Sequence, residues 1–101
     1  MSKEQIVRIA RQVLADEIDP LEACRAIVRS QDGLSDTERD DPDLTTLLAI
    51  ESETDDLPMG RVRELWDRTA LTEQDERRAR YLSRVRNDLL QACKSLIEKF
   101  D

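Results

Sequence analysis

The densest run of functional groups is Glu51-Ser52-Glu53-Thr54-Asp55-Asp56, four carboxylates and two hydroxyls in succession. Carboxylates this close could hold a hard divalent cation or present negative charge to a basic surface. As a calcium loop the run fails. Counted from Asp41, Thr46 falls where the turn glycine belongs and Ser52 where the closing glutamate belongs. Counted from Asp40, Glu51 closes the loop, but Pro42 takes the third position and Thr45 the glycine position. A divalent-metal enzyme would need a second acidic motif on a rigid element, and none is visible. The run therefore reads first as a solvated acidic surface with capping roles, and next as a face for a basic partner. No metal and no cofactor are expected.

The opposite concentration is Arg77, Arg78, Arg80, Arg84 and Arg86. At helical spacing Arg77, Arg80 and Arg84 share a face, and with Arg61 and Arg63 they could hold a phosphate or carboxylate. The simpler reading pairs this basic stretch with the acidic middle of the same chain. Such surface pairs add little stability each but fix how two elements dock.

Other chemistries are limited by what is missing. The chain has no histidine, the commonest general base and metal ligand. Serine and cysteine nucleophiles would then lack their usual partner. Two cysteines without histidine cannot close a four-ligand zinc site within one chain. Two glycines, Gly33 and Gly60, are too few for a phosphate-binding glycine loop. No catalytic residue is assigned, and the inventory tilts against an enzyme.

Charge is unevenly placed. The net charge of −7 arises in residues 32–56, where ten acids face Arg39 alone. An acidic chain is a poor nucleic-acid binder, because phosphate contacts need a basic surface. A basic protein is the partner its field would attract. No stretch is apolar enough for a membrane span, and the start of the chain reads as an amphipathic helix rather than a signal peptide. Two cysteines without an export signal fit a reducing cytoplasm.

Elements that would position these groups are helical. Leu82, Val85, Leu89, Cys93, Leu96 and Phe100 recur at steps of three and four, predicting a long terminal helix over Thr72–Phe100. Ser2 with Gln5 is a capping-box pattern, so a first helix should start at Lys3 and bury Ile6, Ile9, Ala10, Val13 and Leu14. Asp19-Pro20 starts a second, with Glu22 as reciprocal acceptor, Leu21, Cys24, Ile27 and Val28 inward, and Gly33 as a left-handed stop. Ser35 would cap one turn in the polar connector, and Asp41-Pro42 starts another helix. In Leu44-Thr45-Thr46-Leu47-Leu48-Ala49-Ile50, Leu44, Leu47 and Leu48 fit a helix face, whereas Leu44, Thr46, Leu48 and Ile50 fit a strand. With no second strand to pair with, the stretch is read as helix. After a turn at Asp55-Gly60, Val62, Leu65 and Trp66 form an apolar helical turn, ended by Asp67-Arg68-Thr69. Trp66 reads as a core plug there, or as an interface anchor if exposed.

Leu21–Val28 also aligns with Leu90–Ile97, which would bring Cys24 and Cys93 together if the two faces meet. The plainer reading is two amphipathic helices of similar content.

Asp41-Pro42-Asp43 and the run from Ile50 to Trp66 resemble a group of small acidic bacterial proteins with a Ser-Glu-Thr-Asp…Leu-Pro…Gly…Val-Arg…Trp core. Ala92 through Phe100 is similar to that group too, so the likeness covers about half of the chain. It implies a shape and a candidate surface, not an activity. Size and charge add an analogy to immunity proteins that neutralise secreted toxins.

These readings converge on an all-α single domain, residues 1–101, of four or five helices with a long C-terminal helix. The leading function is a cytoplasmic protein-interaction module, an immunity-type inhibitor being its narrower form. Its partner-binding residues would be Glu51, Glu53, Asp55, Asp56, Arg61, Arg63 and Trp66. The alternative is a small ligand- or metal-binding protein or enzyme using Arg61, Arg63 and the Glu51–Asp56 carboxylates. A homodimer is a third option.

Overall fold

The computed structural model describes residues 2–101, with the side chain of Ser2 outside the description. Among these residues all regular structure is helical: α1 (Ser2–Leu14), α2 (Pro20–Arg29), α3 (Asp36–Arg39), α4 (Pro42–Thr54) and α5 (Arg68–Phe100). Two 3-10 segments, Ser30–Gly33 and Gly60–Leu65, follow α2 and precede α5. The single bundle of five helices is the all-α architecture expected, and residues 44–50 are helix. The capping box expected of Ser2 and Gln5 rests on the Ser2 side chain, which lies outside the description, and α1 starts one residue earlier than expected.

Caps set most boundaries. Asp19 accepts the amide of Glu22 at 2.9 Å with Pro20 behind it, Ser35 and Glu38 form a full capping box, and Asp41 accepts the amide of Asp43 at 2.8 Å. Glu22 does not return a bond to Asp19, so α2 has a simple cap rather than a box. Two ends differ from expectation. Gly33 is not left-handed: α2 tightens into a 3-10 turn, and the Ser30 hydroxyl takes up the Ala26 carbonyl. The left-handed residue is Asp16, at φ 59°, which closes α1 in a Schellman arrangement. There the Glu17 amide reaches the Gln12 carbonyl and the Asp16 amide reaches that of Val13. A short polar side chain tolerates that region better than most, so aspartate does what glycine was expected to do.

The long helix begins at Arg68, earlier than Thr72, because Asp67 caps it by accepting the Ala70 amide. Asp67-Arg68-Thr69 is thus a start rather than a break. At 33 residues α5 is roughly 50 Å long and forms the spine of the bundle. Against it pack α1 and α4, with α2 bridging them.

The core is aliphatic. Ile6, Leu21, Ile27, Leu44, Leu47, Leu89 and Leu96 are fully buried, with Cys24 and Cys93 among them. Each such Leu or Ile contributes about 1.5–3 kcal/mol by leaving water. Leu14, placed on the buried face of α1 by its spacing, is instead exposed, because it sits in the final turn beside the Asp16 reversal. Both thiols are free. Burial first, then the nearby Cys93 and Glu51, pushes Cys24 up to about 12, and burial pushes Cys93 up to about 11. The two cysteine-bearing faces do meet in one core, as small buried groups rather than reactive thiolates.

Candidate functional site

Between the end of α4 and the start of α5 the chain makes a surface that its core does not absorb. Gly60–Leu65 is a 3-10 turn, entered through Gly60 at φ 61°, a conformation that L side chains resist. Three residues per turn stack positions i and i+3, so Val62 and Leu65 lie on one edge. That edge faces outward, with Val62 53% and Leu65 86% exposed. The expected inward-facing apolar turn is therefore reversed. The core beneath this stretch is already closed by Leu57 and Met59. Trp66 does not plug the core: it is half-buried, extended in backbone and outside the main cluster.

This turn and the segment leading into it are each held by an arginine. Arg63 makes a two-pronged bridge to Asp75 on α5, at 2.8 and 2.9 Å. Those bonds hold the Asp75 carboxyl below the usual carboxylate range. On the other side Arg25 of α2 donates to the carbonyls of Thr54 at 2.6 Å and Leu57 at 3.1 Å, covering the open end of α4 with a cation. Its Nε is buried without a partner. Arg25, Arg29, Met59, Gly60 and Val62 border a depression of about 400 Å³ beside the exposed edge. Sequence reading passed over Arg25, yet the signal was present. Its spacing from Leu21 and Val28 puts a charge on the apolar stripe of α2, where a cation must find acceptors.

The acidic run is divided. Asp56 takes a two-pronged bridge from Arg77, at 2.9 and 3.0 Å, which keeps its carboxyl below the ordinary range. Thr54 is buried, its hydroxyl donating to the Ile50 carbonyl at 2.8 Å. Glu53 and Asp55 are exposed and Glu51 half-buried, and among the described residues none of the three forms an ion pair. Elsewhere the acidic middle is partly neutralised within the chain: Lys3 pairs with Glu38, and Lys99 spans Asp41 and Asp43. Arg78 reaches Asp19, the cap of α2. The pairing with the acidic middle expected for the basic start of α5 thus holds for Arg77 alone, since the partner of Arg78 lies outside that segment.

Of the residues singled out by sequence, Arg61 and Arg63 do not converge on the carboxylates of Glu51–Asp56. Arg63 is committed to Asp75, and Arg61 is exposed on the turn. The cations that do face the end of α4 are Arg77, Arg80 and Arg84. With Glu53, Thr54, Leu57 and Tyr81 they line a cleft of about 390 Å³. Arg84 lies over the Tyr81 ring, 5.6 Å from its centre. Burial, and then the neighbouring Glu53 carboxylate, raises the Tyr81 phenol above its ordinary value, so it keeps its proton. Among the described residues no group of three carboxylate or thiol side chains is arranged to hold a metal, and no helix is long and apolar enough to cross a membrane.

No family model, curated protein or solved structure matches this chain.

Proposed function

We propose that this chain is a protein-interaction module that docks a basic protein. The Val62–Leu65 edge is the apolar anchor, and Glu51, Glu53 and Asp55 at the end of α4 supply the attracting charge. The observation that carries this reading is the exposure of Leu65 on a turn bridged to α5 by the two Arg63–Asp75 hydrogen bonds. A single exposed leucine needs no explanation. Two stacked apolar side chains beside a half-buried tryptophan, on a tethered turn, are the make-up of an interface anchor. Preorganisation lowers what binding must spend on ordering the loop. The depression beside Val62 offers a place for a partner's side chain next to that anchor.

Charge selects the partner's sign. The chain carries −7 overall, and among the described residues Glu51, Glu53 and Asp55 form no ion pair. Their field speeds encounter with a basic surface and repels acidic ones. Two unbridged buried thiols fit a reducing compartment, which supports a cytoplasmic setting. An immunity-type inhibitor, which silences a basic target by covering it, is the narrowest form of this reading and is supported by size and charge.

Affinity capture from the native host, eluted by a salt step, tests it when wild type is run beside Leu65→Asp. A basic protein should be retained by wild type, be released by moderate salt, and bind the variant at least roughly 30-fold more weakly, the loss expected of an anchor residue. Leu65→Asp should leave the melting temperature unchanged, because the side chain touches little of its own chain. Equal retention by both proteins would remove the turn from the interface.

A further inference from the structure

The cleft between the last turn of α4 and the first half of α5 combines features of which the interaction reading uses Glu53 alone. Arg77, Arg80 and Arg84 line one wall at the spacing of a single helix face. Arg77 is engaged by Asp56. Arg80 and Arg84 form no ion pair among the described residues. Like charges crowded along one helix edge repel, and that repulsion is relieved when an anion sits between them. Opposite stand Thr54 and Leu57, both buried, whose backbone carbonyls are covered by the Arg25 guanidinium. The negative end of the α4 dipole is therefore masked where it would otherwise repel an anion. Glu53 is the one carboxylate lining the cleft.

The geometry points to an anion site in this cleft for a small organic phosphate, its phosphoryl group held by Arg80 and Arg84 and its body lying against Leu57 and Tyr81. Guanidinium groups match phosphate oxygens in pairs, which a lysine-lined cleft would not do as well. The volume, about 390 Å³, exceeds what inorganic phosphate fills and sits at the lower end of ligand pockets, which run from about 300 Å³. Tyr81 contributes its ring face to the lining and no charge.

Two carboxylates limit affinity and make the site testable from both directions. Asp56 occupies Arg77, and Glu53 opposes an incoming anion. Asp56→Asn frees the third guanidinium and removes a negative charge, so it should tighten binding. Arg80→Gln with Arg84→Gln removes the free cations and should loosen it.

Calorimetric titration of the full chain with phenyl phosphate and with inorganic phosphate, at low salt, decides the matter. We expect saturable binding of phenyl phosphate with Kd below about 1 mM, tighter than inorganic phosphate. The arginine double variant should lose about tenfold in affinity, and Asp56→Asn should gain several-fold. Arg8→Gln, on exposed α1 surface away from the cleft, should bind as wild type does. Arg80 and Arg84 are both exposed, so their replacement leaves the fold intact, and circular dichroism checks this. Absence of saturable binding would overturn the site, as would an equal loss in Arg8→Gln. Equal affinity for the two probes would overturn the assignment to an organic phosphate. None of these outcomes depends on Val62 or Leu65, so the site and the docking surface stand or fall separately.

Discussion

Asp41 serves two neighbours with one carboxylate. One oxygen caps α4 by accepting the Asp43 amide, and the other takes the ammonium of Lys99 from the last turn of α5. Burial alone would raise its pKa, but Lys99 and the Asp43 amide outweigh it and bring the group below its ordinary value. A carboxylate depressed in the folded state stabilises above its unfolded pKa, near 3.9, and loses that contribution as pH falls through the folded value. Asp41→Ala should cost about 1–2 kcal/mol at pH 7. That corresponds to a fall in melting temperature of about 4–8 °C for each kcal/mol in a domain of this size. Asp41→Asn keeps a cap but not the charge, so its stability should change less than that of wild type on acidification below pH 4. Melting curves from pH 7 to pH 2 check both. The cap was legible from Asp41-Pro42, but Lys99 was not, since nothing local links positions 58 residues apart. The same holds for Arg25. Its place on an apolar stripe announces an unmet charge, but the acceptors at Thr54 and Leu57 follow only from the tertiary fold.

At the scale of elements, α4 carries the most informative ambiguity. As a strand, Leu44, Thr46, Leu48 and Ile50 would share a buried face. As the helix observed, Leu44, Leu47 and Ile50 are buried and Leu48 is 42% exposed. Leu47→Ala should therefore cost about 2–5 kcal/mol in chemical denaturation, while Leu48→Ala stays within about 1 kcal/mol of wild type. The absence of any second strand decided the helix correctly, because a lone strand leaves its hydrogen bonds unmet. Boundaries were less legible. Asp67-Arg68-Thr69 read as a break because aspartate disfavours helix interiors, yet the same side chain is a good cap, and α5 starts there. The turn at Gly60–Leu65 was the substantive miss. Local spacing identifies an apolar edge but not which way it faces, and the core had already been closed by residues 57 and 59.

Across the whole molecule, α5 divides labour along its length. Its second half buries Leu89, Ala92, Cys93 and Leu96 against α1 and α4 and holds the bundle together. Its first half carries Asp75, Arg77, Arg78, Arg80 and Arg84, which tether the 60–66 turn, the end of α4 and the cap of α2, and border the cleft. Charge that looked like one acidic face and one basic face is partly consumed by internal pairing, at Glu38, Asp41, Asp43 and Asp56 and at Arg77 and Arg78. The groups left to meet a partner or ligand include the carboxylates at the end of α4, Arg80 and Arg84 in the cleft, and an apolar edge. The interaction account rests on that edge being free in the isolated protein and covered in the complex. Trp66, the sole tryptophan, sits beside it and reports on both states. The most direct measurement is acrylamide quenching of Trp66 fluorescence, in dilute protein and then with the captured basic partner added. We predict ready quenching that does not change with protein concentration, then protection and a blue shift as the partner saturates. Protection that grows with protein concentration alone would assign the edge to a second copy of the chain, and quenching unchanged by the partner would contradict the account.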